Sequence, residues 1–210
     1  MPNKIMFKTN NSCLLIHNDN IYVRTVDNSD FSSRALTVIP GFQLELGRDI
    51  NDYKEAMKFS RVPLFFKLVT SRTVNGDNFD YYLLVRMKTG RVEDKVVANI
   101  ICKSGILTSI SFNRKLIRDG DYRRYNQLSV LHQLIVPKDL NGTSNRTEQL
   151  KKILGGVIFC TDGINVIEKN SNLIAITKVG GLSLKYTFIK DVNNSNYVLV
   201  SISLAEQGEK

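Results

Sequence analysis

Histidine occurs twice in the 210 residues, cysteine three times, proline four times and tryptophan not at all. A structural zinc site takes about four nitrogen or sulfur ligands at short spacings. His17, His132, Cys13, Cys102 and Cys160 supply no Cys-x-x-Cys and no His-x-x-x-His between them. Cys13 and His17 would share one face of a strand, but two ligands leave a tetrahedral shell half empty. Three widely spaced cysteines also make no disulfide framework. Each lies in an apolar run, where a small buried thiol is the ordinary reading. No metal and no cofactor is expected.

Reaction motifs are missing as well. There is no G-x-S-x-G turn to expose a nucleophilic serine, no G-x-x-x-x-G-K-[ST] phosphate loop and no G-x-G-x-x-G. Gly155-Gly156 follows an expected helix and precedes an expected strand, the reverse of a phosphate-binding order. Carboxylates pair along the chain at Asp77/Asp80, Glu93/Asp94 and Asp119/Asp121. Asp77 and Asp119 adjoin glycine and have an ordinary turn role, since Asp side chains bond locally to the backbone. The expectation is a non-enzymatic protein.

Long apolar runs are the last absence. No stretch approaches the roughly 18 consecutive apolar residues of a spanning helix, and the opening Met-Pro-Asn-Lys-Ile-Met-Phe-Lys lacks an apolar signal core. An intracellular, cytoplasmic location is expected.

What the sequence does contain is β pattern. Short apolar-rich segments at Lys4–Lys8, Ser12–His17, Asn20–Val26, Arg34–Ile39 and Phe42–Leu46 are separated by Asn, Asp and Ser clusters that favour turns. Asp49–Ser60 departs from this. Asp49 can cap a helix whose face carries Ile50, Tyr53 and Met57, and Pro63 bars its continuation. A meander follows at Leu64–Arg72, Phe79–Lys88, Val92–Cys102 and Ile106–Phe112, with Asn75-Gly76 as the strongest hairpin signal. Residues 113–136 read as a helix from Asp121 to about Leu131, with a strand at Ser129–Val136 as the alternative, and Thr147–Leu154 reads as a short capped helix. Five strands close the chain: Val157–Thr161, Ile164–Lys169, Leu173–Val179, Leu182–Ile189 and Tyr197–Leu204. Their short turns make them antiparallel neighbours.

The fold class is therefore mainly β (α+β): antiparallel meanders forming a sandwich or barrel with two or three short helices. One β-rich domain over residues 1–204 is expected, any subdivision falling near 137–147, with a flexible tail at 205–210.

Charge of one sign dominates. Against 20 acidic residues stand 29 basic ones, a net charge of +9. The surplus is nil over residues 1–50 and greatest over 101–150, where eight basic residues face four acidic ones. Such a balance favours anionic partners. Lys103, Arg114, Lys115 and Arg118 are followed by Arg123 and Arg124, with Phe112, Tyr122 and Tyr125 interleaved. Guanidinium forks suit phosphate, and aromatic faces stack on unpaired bases whatever their identity. The expected nucleic-acid-binding residues are thus Lys103, Arg114, Lys115, Arg118, Tyr122, Arg123, Arg124 and Tyr125, with single-stranded RNA as the partner.

The leading expectation is a basic, RNA-binding structural or accessory protein. Abundant Asn, Ile and Lys with little Pro fits A/T-rich genomes and small viral products of that kind. Two alternatives stand beside it. One is a matrix-like, self-assembling scaffold on an anionic membrane, where each basic residue near the surface contributes about 1 kcal/mol. The other is an enzyme with a scattered site, or an interaction module that uses a sheet edge.

Overall fold

The computed structural model describes residues 4–9, 12–26, 35–39, 41–87, 95–112, 135–136, 164–170, 172–179, 181–190 and 197–205. Of these, 75% lie in strands and 7% in helix. The sheets are rich in antiparallel pairs, and among the described residues they stay open, with no closed barrel. The chain divides into two compact units, Met1–Asn113 and Arg114–Lys210. The expected subdivision at 137–147, the helices at 121–131 and 147–154, and the strand Val157–Thr161 lie outside the described residues. So do Cys160, His132 and the last five residues of the expected tail.

The first unit begins with a sheet of five strands: β1 (Lys4–Lys8), β2 (Ser12–His17), β3 (Asn20–Thr25), β4 (Ala35–Ile39) and β5 (Phe42–Glu45), in the order β1-β2-β3-β5-β4. The β2–β3 hairpin turns through Asn18 and Asp19, both at positive φ (48° and 62°). Asn and Asp accept that conformation because their short polar side chains bond locally. Leu14, Ile21, Val23, Phe42 and Leu44 are buried.

Helix α1 (Ile50–Met57) follows. Asp49 caps it, its Oδ1 accepting from the Asn51 amide at 2.8 Å. Ile50, Tyr53 and Ala56 form its buried face. Ala56 thus takes the place expected of Met57, which is half-buried, and the helix ends before Pro63 as its geometry demands. α1 packs on both β2 and β6 (Leu64–Val74).

The meander continues through β7 (Asp77–Arg86), β8 (Lys95–Lys103) and β9 (Ile106–Phe112), every neighbour antiparallel. The β6–β7 and β8–β9 hairpins turn on two residues each. Asn75 and Gly76 hold φ of 51° and 85°, and Ser104 and Gly105 hold 49° and 82°. Positive φ at both positions is the type I′ turn, whose twist matches that of the strands it joins. Residues opposite one another share a face. The inner face carries Tyr82, Leu84, Ala98, Ile100, Cys102, Leu107 and Ile110, all buried. Burying such side chains stabilises the unit by about 1.5–3 kcal/mol for each large one.

The second unit has β11 (Ile164–Lys169), β12 (Asn172–Val179), β13 (Leu182–Lys190) and β14 (Tyr197–Leu204) as an antiparallel meander in chain order. The two-residue strand β10 (Ile135–Val136) pairs with β14. Leu173, Ala175 and Thr177 stand on one face with Leu184, Tyr186 and Phe188, and all six are buried. The alternation of apolar and polar residues along Leu182–Ile189 accounts for that face.

Candidate nucleic-acid interface

The outer face of the β6–β9 meander follows from its register. Arg72 lies opposite Phe79, which lies opposite Lys103. The next row is Thr70, Tyr81, Ile101 and Ser109, and the next Lys67, Leu83, Asn99 and Ser111. Lys67, Arg72, Asn99 and Lys103 are exposed, and Phe79, Tyr81, Leu83 and Ile101 are half-buried. This face carries two aromatic rings that are only half-buried. Each has a cation beside it: the Arg72 guanidinium lies 6.0 Å from the Tyr81 ring centre and the Lys103 ammonium 5.9 Å from that of Phe79. Those separations stand at the outer limit of a cation–π contact, so neither cation is committed to its ring.

Asp77 brings the one carboxylate on these rows of β7, at the turn. It holds the Lys103 ammonium at 2.6 Å, with both side chains nearly half exposed. Asp80, three residues on and so on the opposite face of the sheet, accepts from the exposed Ser71 hydroxyl at 2.6 Å. The Asp77/Asp80 pair is therefore split between two faces of the sheet. Glu93/Asp94 and Asp119/Asp121 lie outside the described residues.

Of the residues expected from sequence, Lys103 takes its place on this face. Arg114, Lys115, Arg118, Tyr122, Arg123, Arg124 and Tyr125 lie outside the described residues. Lys67, Arg72, Phe79 and Tyr81 were missed. A signal for them existed. A two-residue turn at Asn75-Gly76 sets Arg72 opposite Phe79 and Thr70 opposite Tyr81 by counting alone; a four-residue turn over 75–78 hides that pairing.

A second polar cluster is internal. The Arg48 guanidinium donates to Glu45 Oε2 from Nε at 3.1 Å and from Nη2 at 2.9 Å, and also to the Ser12 hydroxyl. Ser12 in turn donates to Glu45 Oε2 at 2.7 Å, and Arg48 Nη1 reaches Asp52 at 3.4 Å. Arg48 and Glu45 are 1% and 2% exposed. Burial pushes the Asp52 carboxyl up from its ordinary value against the pull of Arg48. Burial likewise pushes up the Tyr53 hydroxyl, which accepts from the Glu45 amide at 2.8 Å. This network satisfies its own members, as buried charge must, and joins β2, β5 and α1. It is a structural joint.

Cys13 and Cys102 are free and buried. Burial pushes the Cys102 thiol up to about 12, so it stays protonated and unreactive at neutral pH. Cys13, also raised by burial, lies in the core while His17 on the same strand is exposed. Among the described residues no three His, Cys, Asp or Glu side chains converge as a metal site would require. Nor is any described helix long and apolar enough to cross a membrane.

No family model matches the chain, and neither does any curated protein or solved structure.

Proposed function

We propose that the protein is a non-enzymatic, nucleic-acid-associated structural or accessory protein of the kind small viruses encode, and that it binds single-stranded RNA on the outer face of β6–β9. The observation that carries this is the pairing of Arg72 with Tyr81 and of Lys103 with Phe79 on one accessible sheet surface. Unpaired bases stack on aromatic rings presented by a sheet, while flanking guanidinium and ammonium groups meet the phosphates. Lys67 extends the positive row.

Titration with labelled single-stranded RNA at several salt concentrations tests the reading. Each phosphate neutralised adds about 0.7 to the log–log slope of affinity against salt. Lys67, Arg72 and Lys103 together account for a slope near −2, and six contacts for one near −4. Replacing Lys67, Arg72 and Lys103 by Ala should flatten the slope by about 2. Absence of binding at low salt, or an unchanged slope in that variant, rejects the interface. Vesicles of acidic lipid separate the membrane alternative. Attraction to a lipid surface needs the cations alone, whereas RNA stacking also needs Phe79 and Tyr81.

A further inference from the structure

Strand β6 is an edge. Among the described residues it pairs only with β7, through ten of its 11 residues. An edge strand presents a row of outward backbone donors and acceptors, and β6 is poorly covered from Lys67 onward, where every residue but Thr70 is exposed. Seven large apolar side chains are exposed among the described residues, and three of them are here: Leu68 at 52%, Val69 at 58% and Val74 at 49%. A bulge at Leu68/Val69 breaks the register with β7. Beyond it, Thr70–Val74 runs as a regular strand with Thr70, Arg72 and Val74 on the outer face. The strand carries Lys67 and Arg72 and no carboxylate.

A second copy of the chain fits this edge badly. Antiparallel pairing about Arg72 sets two guanidinium groups opposite each other, and like charges directly opposite are destabilising. Shifting the axis to Ser71 or Thr73 meets the bulge or the Asn75-Gly76 turn within two residues. A foreign strand has neither constraint. The geometry points to β6 as the acceptor of an extended peptide segment from a partner protein, added as a neighbouring strand along Thr70–Val74. That segment has a carboxylate opposite Arg72 and an apolar residue two places along, opposite Val74. Backbone hydrogen bonds hold such a segment, and its alternate side chains give the specificity. The inference shares Arg72 with the RNA reading but is told apart from it by its readout, the protection of the outward amides on the backbone rim of β6.

The test uses the full chain and two blocked seven-residue peptides of alternating threonine and valine, one with a central glutamate and its twin with a central lysine. Amide exchange read by NMR should slow at alternate positions from Thr70 to Val74 when the glutamate peptide is added. That peptide should bind roughly tenfold more tightly than its twin. Arg72→Glu should reverse the preference. Arg72→Ala, which removes the charge and adds none, should nearly abolish it. Equal affinity of the two peptides for the unaltered chain overturns the inference. So does protection elsewhere than β6. Protection that grows with protein concentration in the absence of peptide overturns it in favour of self-pairing.

Discussion

Arg48 and Arg72 place the same guanidinium in opposite settings. Arg48 is 1% exposed and spends its donors on Glu45, Ser12 and Asp52. Arg72 is exposed on a strand edge, with a tyrosine ring as its neighbour. In the interior, charge is tolerated only where every donor meets an acceptor, because an unpaired buried ion costs several kcal/mol. On the outer face no such demand exists, and a cation there keeps its capacity for an outside partner. Net charge counted along the chain mixes these two populations. Only the second is open to an outside partner.

The contrast is broken most sharply by removing each arginine in turn. Arg48→Ala leaves Glu45 buried without its partner and should cost about 3–5 kcal/mol in chemical denaturation. Arg72→Ala should stay within about 0.5 kcal/mol. Replacing Arg48 by Met together with Glu45 by Leu should recover most of the loss, since a buried ion pair exchanged for apolar groups is often near neutral. An Arg48→Ala protein as stable as the parent would mean that the network holds nothing together.

Aromatic side chains sharpen the same comparison at the next level. Tyr53 on α1 is buried against Phe42, their ring centres 6.0 Å apart, and belongs to the core. Phe79 and Tyr81 are half-buried on the outer face. The double change Phe79→Ala and Tyr81→Ala should weaken single-stranded RNA by about 1–3 kcal/mol for each base that loses its ring. The salt slope should stay the same, because no cation has been removed. A changed slope with unchanged affinity at low salt would show that the rings act only on the fold.

These two regions also differ in how far the sequence foretold them. Strand positions in both units were readable, since alternation such as Leu184, Tyr186 and Phe188 and turn pairs such as Asn75-Gly76 are local signals. Asp49 as a cap was readable for the same reason. The Arg48 network was not. Glu45 and Asp52 are three and four residues from Arg48, but Ser12, 36 residues away, meets it only because the topology places β2 and β5 in one sheet. The outer face was half legible. Lys103 stood out by charge, but Arg72 and Tyr81 lie in segments that read as ordinary strand, and only the register makes them neighbours. Charge clustering in sequence pointed toward 114–124, whereas clustering across strands depends on pairing.

Lys103 lies between the two settings, exposed like Arg72 yet paired like Arg48. Its bond to Asp77 is 2.6 Å long, but with side chains 46% and 43% exposed, water competes for both groups. An exposed pair of this sort contributes about 0–1 kcal/mol. Asp77→Asn should therefore change stability by less than about 1 kcal/mol. The same change removes a carboxylate that competes with phosphate for the ammonium beside Phe79, so it should tighten RNA binding and leave the salt slope, which already counts Lys103, unchanged. Weaker binding in Asp77→Asn would instead mean that Asp77 positions Lys103 for the strand, so that the pair belongs to the interface as a unit and the ammonium never leaves its carboxylate.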